Sequence, residues 1–515
     1  MNMIDMKKSL VLTASVCAGL AAAEAQTAQK PNIILIMTDQ QRGDCVGWSN
    51  DAVKTPNLDA IAREGVCFDN AYSTTPSSTP ARAALLTGMS PWHHGMLGYG
   101  KVARTYKYEL PRMIRECGYY TFGIGKMHWF PQKSLHGFHG TLVDESGRVE
   151  QDGYVSDYRD WFKLQAPGLN PDELGIGWND HTGGAYPLDE KLHPTYWTGE
   201  TAVEFIRHYN QDKPLFLKVS FARPHSPYDP PQRYIDMYRD VEIPEPVIGE
   251  WAAGFAGYPK AKDAAFGDYG KEHALESRRH YYAAITFIDD QIGRIVQALK
   301  EKGLYEHSVI LFVSDHGDML GDHYHWRKTY AYEGSSHVPF MLRLPESMQT
   351  TVKSGSHLPQ VVEIRDILPT FVEVAGGAVP QDIDGASVLP LLQQEKPEWR
   401  EYIDLEHATC YHADNYWCGL TDGKMKYVWF FRTGKEQLFN MEKDPQEKVD
   451  LSGSKKYAKT LAMWRERMVG HLSERGEEYV KDGQLQKLSK TRLYSPNYPA
   501  GAHEQLPYWI KESKF

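Results

Sequence analysis

The chain has 515 residues, with 57 Lys+Arg against 67 Asp+Glu, so its net charge is −10. With 41% hydrophobic and 24% charged residues it has the composition of a globular protein, which excludes a disordered chain. The acidic balance argues against a general nucleic-acid binder, which needs a basic face, but allows an anionic small substrate in a locally positive pocket.

Residues 1–25 read as a secretory signal: Lys7 and Lys8 precede an apolar run over 10–22, and Ala23-Glu24-Ala25 is an A-x-A cleavage site. The run is too short to cross a bilayer and no later segment is apolar enough, so the mature chain is expected to be exported, soluble and periplasmic. Cys17 follows the bulky Val16, which argues against lipid attachment there. The remaining cysteines, Cys45, Cys67, Cys117, Cys410 and Cys418, form no C-x-x-C pair, which excludes a zinc ribbon or thioredoxin-like site. Cys410 and Cys418 either pair across a hairpin or stay reduced and partly buried.

Residues 33–37 are a continuous apolar run, the pattern of a strand covered on both faces, and end in Thr38-Asp39-Gln40. A helix over 56–65 follows, with Thr55 as cap and Pro56 at its first position. A helix over 110–117 leads to a strand over 119–124, and a helix over 198–209 to a strand over 215–221. A long helix over 273–302 stops at Gly303, and a strand over 309–313 runs into Ser314-Asp315-His316. This alternation predicts an α/β fold, a large mostly parallel sheet covered by helices on both faces. Residues 129–196 and 242–272 lack period and predict long loops that act as lids or binding walls. After about residue 385 the pattern changes to strands over 424–431 and 438–441, a turn at Asp444-Pro445 and a long amphipathic helix over 454–474. The expected organisation is an α/β domain over 26–385 and a smaller α+β domain over 386–515, with a short antiparallel sheet and a long helix.

Three polar clusters close predicted strands: Asp39-Gln40, Lys126-x-His128 and Asp315-His316. Carboxylate and carboxamide oxygens suit calcium or magnesium better than zinc, although an Asp-His after a strand also serves as a cap or turn. The segment Ser78-Thr79-Pro80-Ala81-Arg82-Ala83-Ala84-Leu85-Leu86-Thr87-Gly88 resembles the signature of the type I, formylglycine-dependent sulfatases of the alkaline phosphatase superfamily, in its serine form. There a Cys or Ser, then x-P-x-R and x-x-L-x-T-G, marks a residue oxidised to an aldehyde. Ser78, not Ser77, is in register with Pro80 and Arg82, and Ser78 and Thr79 are also expected to cap a helix begun at Pro80. Resemblance continues in the family's order through residues 32–40, Gly125-Lys126-Met127-His128, Pro224-His225-Ser226-Pro227, Ser314-Asp315-His316-Gly317-Asp318 with downstream Lys328, Asp366-Ile367-Leu368-Pro369-Thr370, and 438–445.

The resemblance implies a calcium-dependent sulfuric ester hydrolase. It makes Asp39, Gln40, Asp315 and His316 calcium ligands together with the modified Ser78. Gln40 departs from the Asp-Asp pair of many members. It makes the hydrated aldehyde at Ser78 the nucleophile, with Asp315 receiving its proton. Arg82, Lys126 and Lys328 become cations around the sulfate. His225 with Lys328 becomes the acid for the leaving group, and His128 the partner of the second hydroxyl. Asp318 is read as a supporting group. His93, His94, His407 and His412 are either mouth-lining residues or ordinary core and surface histidines. The implied partners are a sulfated carbohydrate such as a glycosaminoglycan or mucin fragment and a formylglycine-generating maturase, and the expected form is a monomer or weak oligomer. Two alternatives stand beside this reading: a phosphonate monoester or phosphodiester hydrolase of the same superfamily, and a non-catalytic carbohydrate-binding protein.

Overall fold

The computed structural model describes residues 30–499, so the expected signal segment and Cys17 lie outside the described residues. The central sheet has eight strands: β1 (Asn32–Asp39), β2 (Val66–Tyr72), β3 (Tyr120–Gly125), β4 (Gly140–Leu142), β5 (Leu215–Pro224), β6 (Ser308–Ser314), β7 (Phe340–Arg343) and β8 (Ser356–Glu363). Their order is β4-β3-β5-β1-β6-β7-β2-β8. Only β7 runs antiparallel to its neighbours, so the sheet is mostly parallel, as the alternation of elements predicts.

The apolar run of β1 is explained by cover on both faces. Ile33, Leu35 and Met37 enter one apolar cluster with Ala81, Leu85, Ile114 and Phe371 from the helices Ser78–Thr87, Leu110–Glu116 and Ile367–Val374. Ile34 and Ile36 enter another with Leu58, Ile206, Ile288 and Ile292 from Pro56–Glu64, Pro194–His208 and Lys271–Glu301. Successive strand side chains point to opposite faces, so one run feeds two cores.

A second, antiparallel sheet holds β9 (Ile403–His407), β10 (Trp417–Thr421), β11 (Met425–Phe430) and β12 (Glu436–Asn440) in the order β12-β11-β10-β9. The helix Ala458–Leu472 buries Leu461, Trp464, Met468 and Leu472, one helical stripe, in a cluster with Leu420, Tyr427 and Leu438.

Several local expectations change. Thr55 does not cap the helix Pro56–Glu64: its hydroxyl donates to Asp59 and accepts from the Gly47 N–H. The free N–H groups of Asn57 and Leu58 instead donate to Asp289, a tertiary cap from a neighbouring helix. The helix expected from Pro80 already includes Ser78 and Thr79, and Ser77 at its cap position gives its hydroxyl to His407 Nε2 at 2.8 Å. Cys410 and Cys418 are both free and buried. The strands β2, β4, β7, β8, β9 and β10 were not expected from the sequence, and β4 falls in the segment 129–196 expected to be a loop. β8 is an edge strand with alternating exposure that carries Pro359, a residue only an edge tolerates.

Candidate active site

The carboxyl ends of β1, β3, β5 and β6 are neighbours, and each delivers polar residues to one place. β1 ends on Asp39 and Gln40, β3 leads into Lys126 and His128, β5 into His225, and β6 into Asp315 and His316. The turn after β3 requires its glycine: Gly125 has φ +88, and a Cβ there would lie 2.1 Å from the Ser220 carbonyl oxygen. This close approach lets the Lys126 N–H donate to that same oxygen at 2.7 Å and aims Lys126 inward.

Ser78 is the first residue of its helix, where backbone N–H groups and the helix dipole favour an anion. Its Oγ lies 3.1 Å from Asp39 Oδ2 and 3.1 Å from His316 Nε2. Asp39, Asp315 and His316 each offer a ligand atom, all within 4.8 Å of one another, and all three are buried. His316 Nδ1–H donates to the Gly317 carbonyl at 2.9 Å, which leaves Nε2 unprotonated and turned toward the carboxylates. Two carboxylates and an imidazole lone pair converging without a proton between them fit a divalent cation. Among the described residues this is the one such group of His, Cys, Asp and Glu.

Arg82, fully buried, spans the outer oxygens of this set. Its Nε donates to Asp315 Oδ2 at 2.9 Å and its Nη2 to Asp39 Oδ2 at 3.0 Å, while Nη1 donates to the Lys126 carbonyl and Ser220 Oγ. Lys126 Nζ lies 2.6 Å from Asp39 Oδ2. Gln40 donates from Nε2 to Asp318 Oδ2, which also accepts from Tyr228, and accepts at Oε1 from Lys328 Nζ at 2.6 Å. Lys328 Nζ lies 2.8 Å from His225 Nε2, and His225 Nδ1–H donates to the Ser226 carbonyl. His128 is farther out: its Nε2 is 3.3 Å from Tyr99 OH and 3.5 Å from Glu150, and it makes no hydrogen bond to Ser78.

The electrostatics follow from packing charges into a dry pocket. Burial alone would raise the Asp39 carboxyl, but the Lys126 and Arg82 charges outweigh it and hold the group well below its usual range. Burial pushes Lys126 down to about 8 despite Asp39, and Lys328 down to about 7. Burial and the Lys328 charge hold His225 well below its ordinary value, so the ring is neutral at pH 7.

The sulfatase family model matches residues 31–378, and that of the N-sulphoglucosamine sulphohydrolase C-terminal region matches residues 321–474. The chain belongs to the sulfatase family. It is an enzyme of the sulfuric ester hydrolase class. An arylsulfatase of Clostridium perfringens is 39% identical over 477 residues, 89% of this chain and 98% of its own. A choline-sulfatase of Rhizobium meliloti is 30% identical, covering 83% of each chain. Among solved structures, the phosphonate monoester hydrolase of Agrobacterium radiobacter superposes with a TM-score of 0.72 at 25% identity, over 87% of this sulfatase and 96% of its own chain.

Other residues around the site escape a reading of the sequence. Glu145, in the irregular segment, accepts from the Met127 and His128 N–H groups at 3.1 and 2.8 Å and so fixes the turn that carries Lys126. The Arg148 charge is felt at the same site, where it helps to depress Lys126, His128, His225 and Lys328. Neither lies in a periodic element or a motif, and only the folded loop brings them in. Of the four further histidines, His407 bonds Ser77, next to Ser78. His94 is buried and accepts from the Met96 N–H, His93 is an ion-pair partner of Asp384 and Glu474, and His412 lies beside Tyr258 and Phe266.

Proposed function

We propose that this sulfatase cleaves O-sulfate from saccharides, such as glycosaminoglycan or mucin fragments, through a formylglycine made from Ser78, with a calcium ion beside it. The observation that carries the reading is the position of Ser78 Oγ, at a helix N-terminus and 3.1 Å from both Asp39 and His316. Asp39, Asp315 and His316 would hold the calcium, with Gln40 Oε1 contributing its second lone pair and the modified Ser78 its oxygen. Bound there, the ion supplies positive charge beside the nucleophilic oxygen. The hydrated aldehyde supplies two hydroxyls: one can attack sulfur, and the other can later lose its proton so that sulfate is expelled and the aldehyde restored.

The side chains divide the remaining work. Arg82 braces the two ligand carboxylates from behind and fixes their orientation. Lys126 and Lys328 present cations to the sulfate oxygens, where charge must be held in the transition state. Asp315 is the base for the attacking hydroxyl, and His128 the partner of the second. His225 and Lys328 share a proton across 2.8 Å and deliver it to the departing saccharide oxygen. The saccharide class is supported by the match to a C-terminal family model named for a sulfated aminosugar hydrolase and by the long loops, and an N-terminal signal would export the chain to the periplasm. In protein co-expressed with a serine-type maturase, the peptide containing residue 78 should lose two hydrogens in mass. A panel of sulfated mono- and disaccharides should then release sulfate, and full turnover by protein with intact Ser78 would refute the mechanism.

A second reading, phosphonate monoester hydrolysis, is favoured by the superposition on that hydrolase and by the Asp-Gln, Asp-His pairs at 39–40 and 315–316. An aryl phosphonate monoester turned over faster than aryl and sugar sulfates would establish it.

A further inference from the structure

Arg148 is a cation with no assigned partner. The chain reverses at residues 145–148, where the Arg148 N–H donates to the Glu145 carbonyl at 3.0 Å and both central residues are left-handed, Ser146 at φ 54 and Gly147 at φ 74. The turn is pinned to the G-K-x-H segment on one side through Glu145. On the other side Gln132 holds it, donating from Nε2 to the Arg148 carbonyl and accepting at Oε1 from the Glu150 N–H. The backbone that carries Arg148 is therefore fixed from both ends.

Its side chain is part-buried, and Nη1 is buried with no hydrogen-bond partner. Among the described residues the guanidinium makes no ion pair, and the Trp178 ring lies 5.9 Å from its centre. The two nearby carboxylates are committed elsewhere: Glu145 Oε1 to the Met127 and His128 N–H groups, and Glu150 toward His128. Tyr99 and Asp39 also favour its charge, but Asp39 is already paired with Arg82 and Lys126. Arg148 is among the charges that depress Lys126, His128, His225 and Lys328, which puts it at the same pocket. Desolvating a guanidinium beside like charges is unfavourable unless an anion arrives to pair with it.

The transferred sulfate does not account for that anion. The sulfate oxygens are assigned to Lys126 and Lys328, beside Asp39 and Gln40, whereas Arg148 stands on the turn that holds His128, the site residue farther out from Ser78. We propose that Arg148 receives a second anionic group on the same substrate, a carboxylate or a second sulfate carried by the leaving saccharide. The planar fork of a guanidinium suits either oxyanion in bidentate fashion. The inference rests on the sulfate-ester reading of the site and narrows its substrate to dianionic sugars.

The test is calorimetric binding to the Ser78 form, which cannot turn over under the proposed mechanism. The probes are monosulfated hexoses, the same hexoses carrying two sulfates, and sulfated uronic acids, and the proteins are wild type, Arg148→Gln and Arg148→Lys. Wild type should bind at least one dianion about tenfold or more tighter than its monosulfated parent, as expected for a good charge-assisted pair. Arg148→Gln should abolish that preference and leave the monosulfate within about threefold, while Arg148→Lys keeps part of it because charge survives and the fork does not. The disulfated and uronic arms identify which anion is received. Equal weakening of mono- and dianions would mean that Arg148 bonds the transferred sulfate, and an absent preference in wild type would mean that no second anion is recognised. Either result overturns the proposal. Failure of the sulfatase reading shows itself separately, as matured wild type that releases no sulfate from any ester.

Discussion

Under the proposed mechanism, removing His225 should separate protonation of the leaving group from the chemistry at sulfur. The ring is 1% exposed, its Nδ1–H is committed to the Ser226 carbonyl, and its Nε2 lone pair faces Lys328 Nζ at 2.8 Å. One proton is thus held between two nitrogens. His225→Ala deletes one of them and leaves Lys328 bonded to Gln40 Oε1. A positioned acid is worth about 10²–10⁴-fold, or ~3–5 kcal/mol of barrier. That full loss in kcat/KM is expected on a sugar sulfate, whose alkoxide must leave nearly protonated. On 4-nitrophenyl sulfate the phenolate departs unaided, and the loss should stay below about tenfold. Because truncating a buried ring leaves a cavity, thermal stability and metal content are measured alongside, and His225→Asn serves as the better-packed control. Equal losses on the two esters would refute the assignment and leave Lys328 as the acid.

Protein made without a maturase should fold with wild-type stability yet release no sulfate, as followed by melting temperature and ion chromatography. Exhaustive chelation should abolish turnover and added calcium restore it, while Asp315→Ala should lose several orders of magnitude in rate and most bound calcium by elemental analysis. Arg82→Ala strips the fully buried brace from Asp39 and Asp315, so the metal-free protein should lose about 3–5 kcal/mol of stability in denaturant melts, with calcium recovering part; an unchanged midpoint would show that Arg82 does not brace them. His93, hydrogen-bonded to Asp384 and paired with Glu474, has its pKa raised to about 9, so its contribution to stability is complete below pH 6.5 and lost as pH rises through about 9. His93 is 40% exposed, so the effect is modest, and His93→Gln should shrink the difference in melting temperature between the two ends of that window.

The sequence by itself determined the central strands and the polar residues that close them. The apolar run of β1 is legible because burial on both faces demands a continuous run, and the polar residues after β1, β3 and β6 are legible because local motifs place them at strand ends. The helix that begins with Ser78 is legible because its eleven-residue signature is continuous in the chain. Tertiary structure alone decided how these pieces meet. That Arg82 turns its guanidinium on Asp39 and Asp315 depends on contacts across 43 and 233 residues. That Asp289 caps the helix at Pro56, and that Ser77 bonds His407 of β9, likewise depends on partners hundreds of residues away. Arg148 was invisible for the same reason. A cation in an aperiodic loop carries no signal until the turn at Ser146 and Gly147 and the clamp by Gln132 fix where its charge points. Short-range pattern encodes burial and backbone form, whereas the pairing of charges in a dry pocket is settled only when distant strands close on one another.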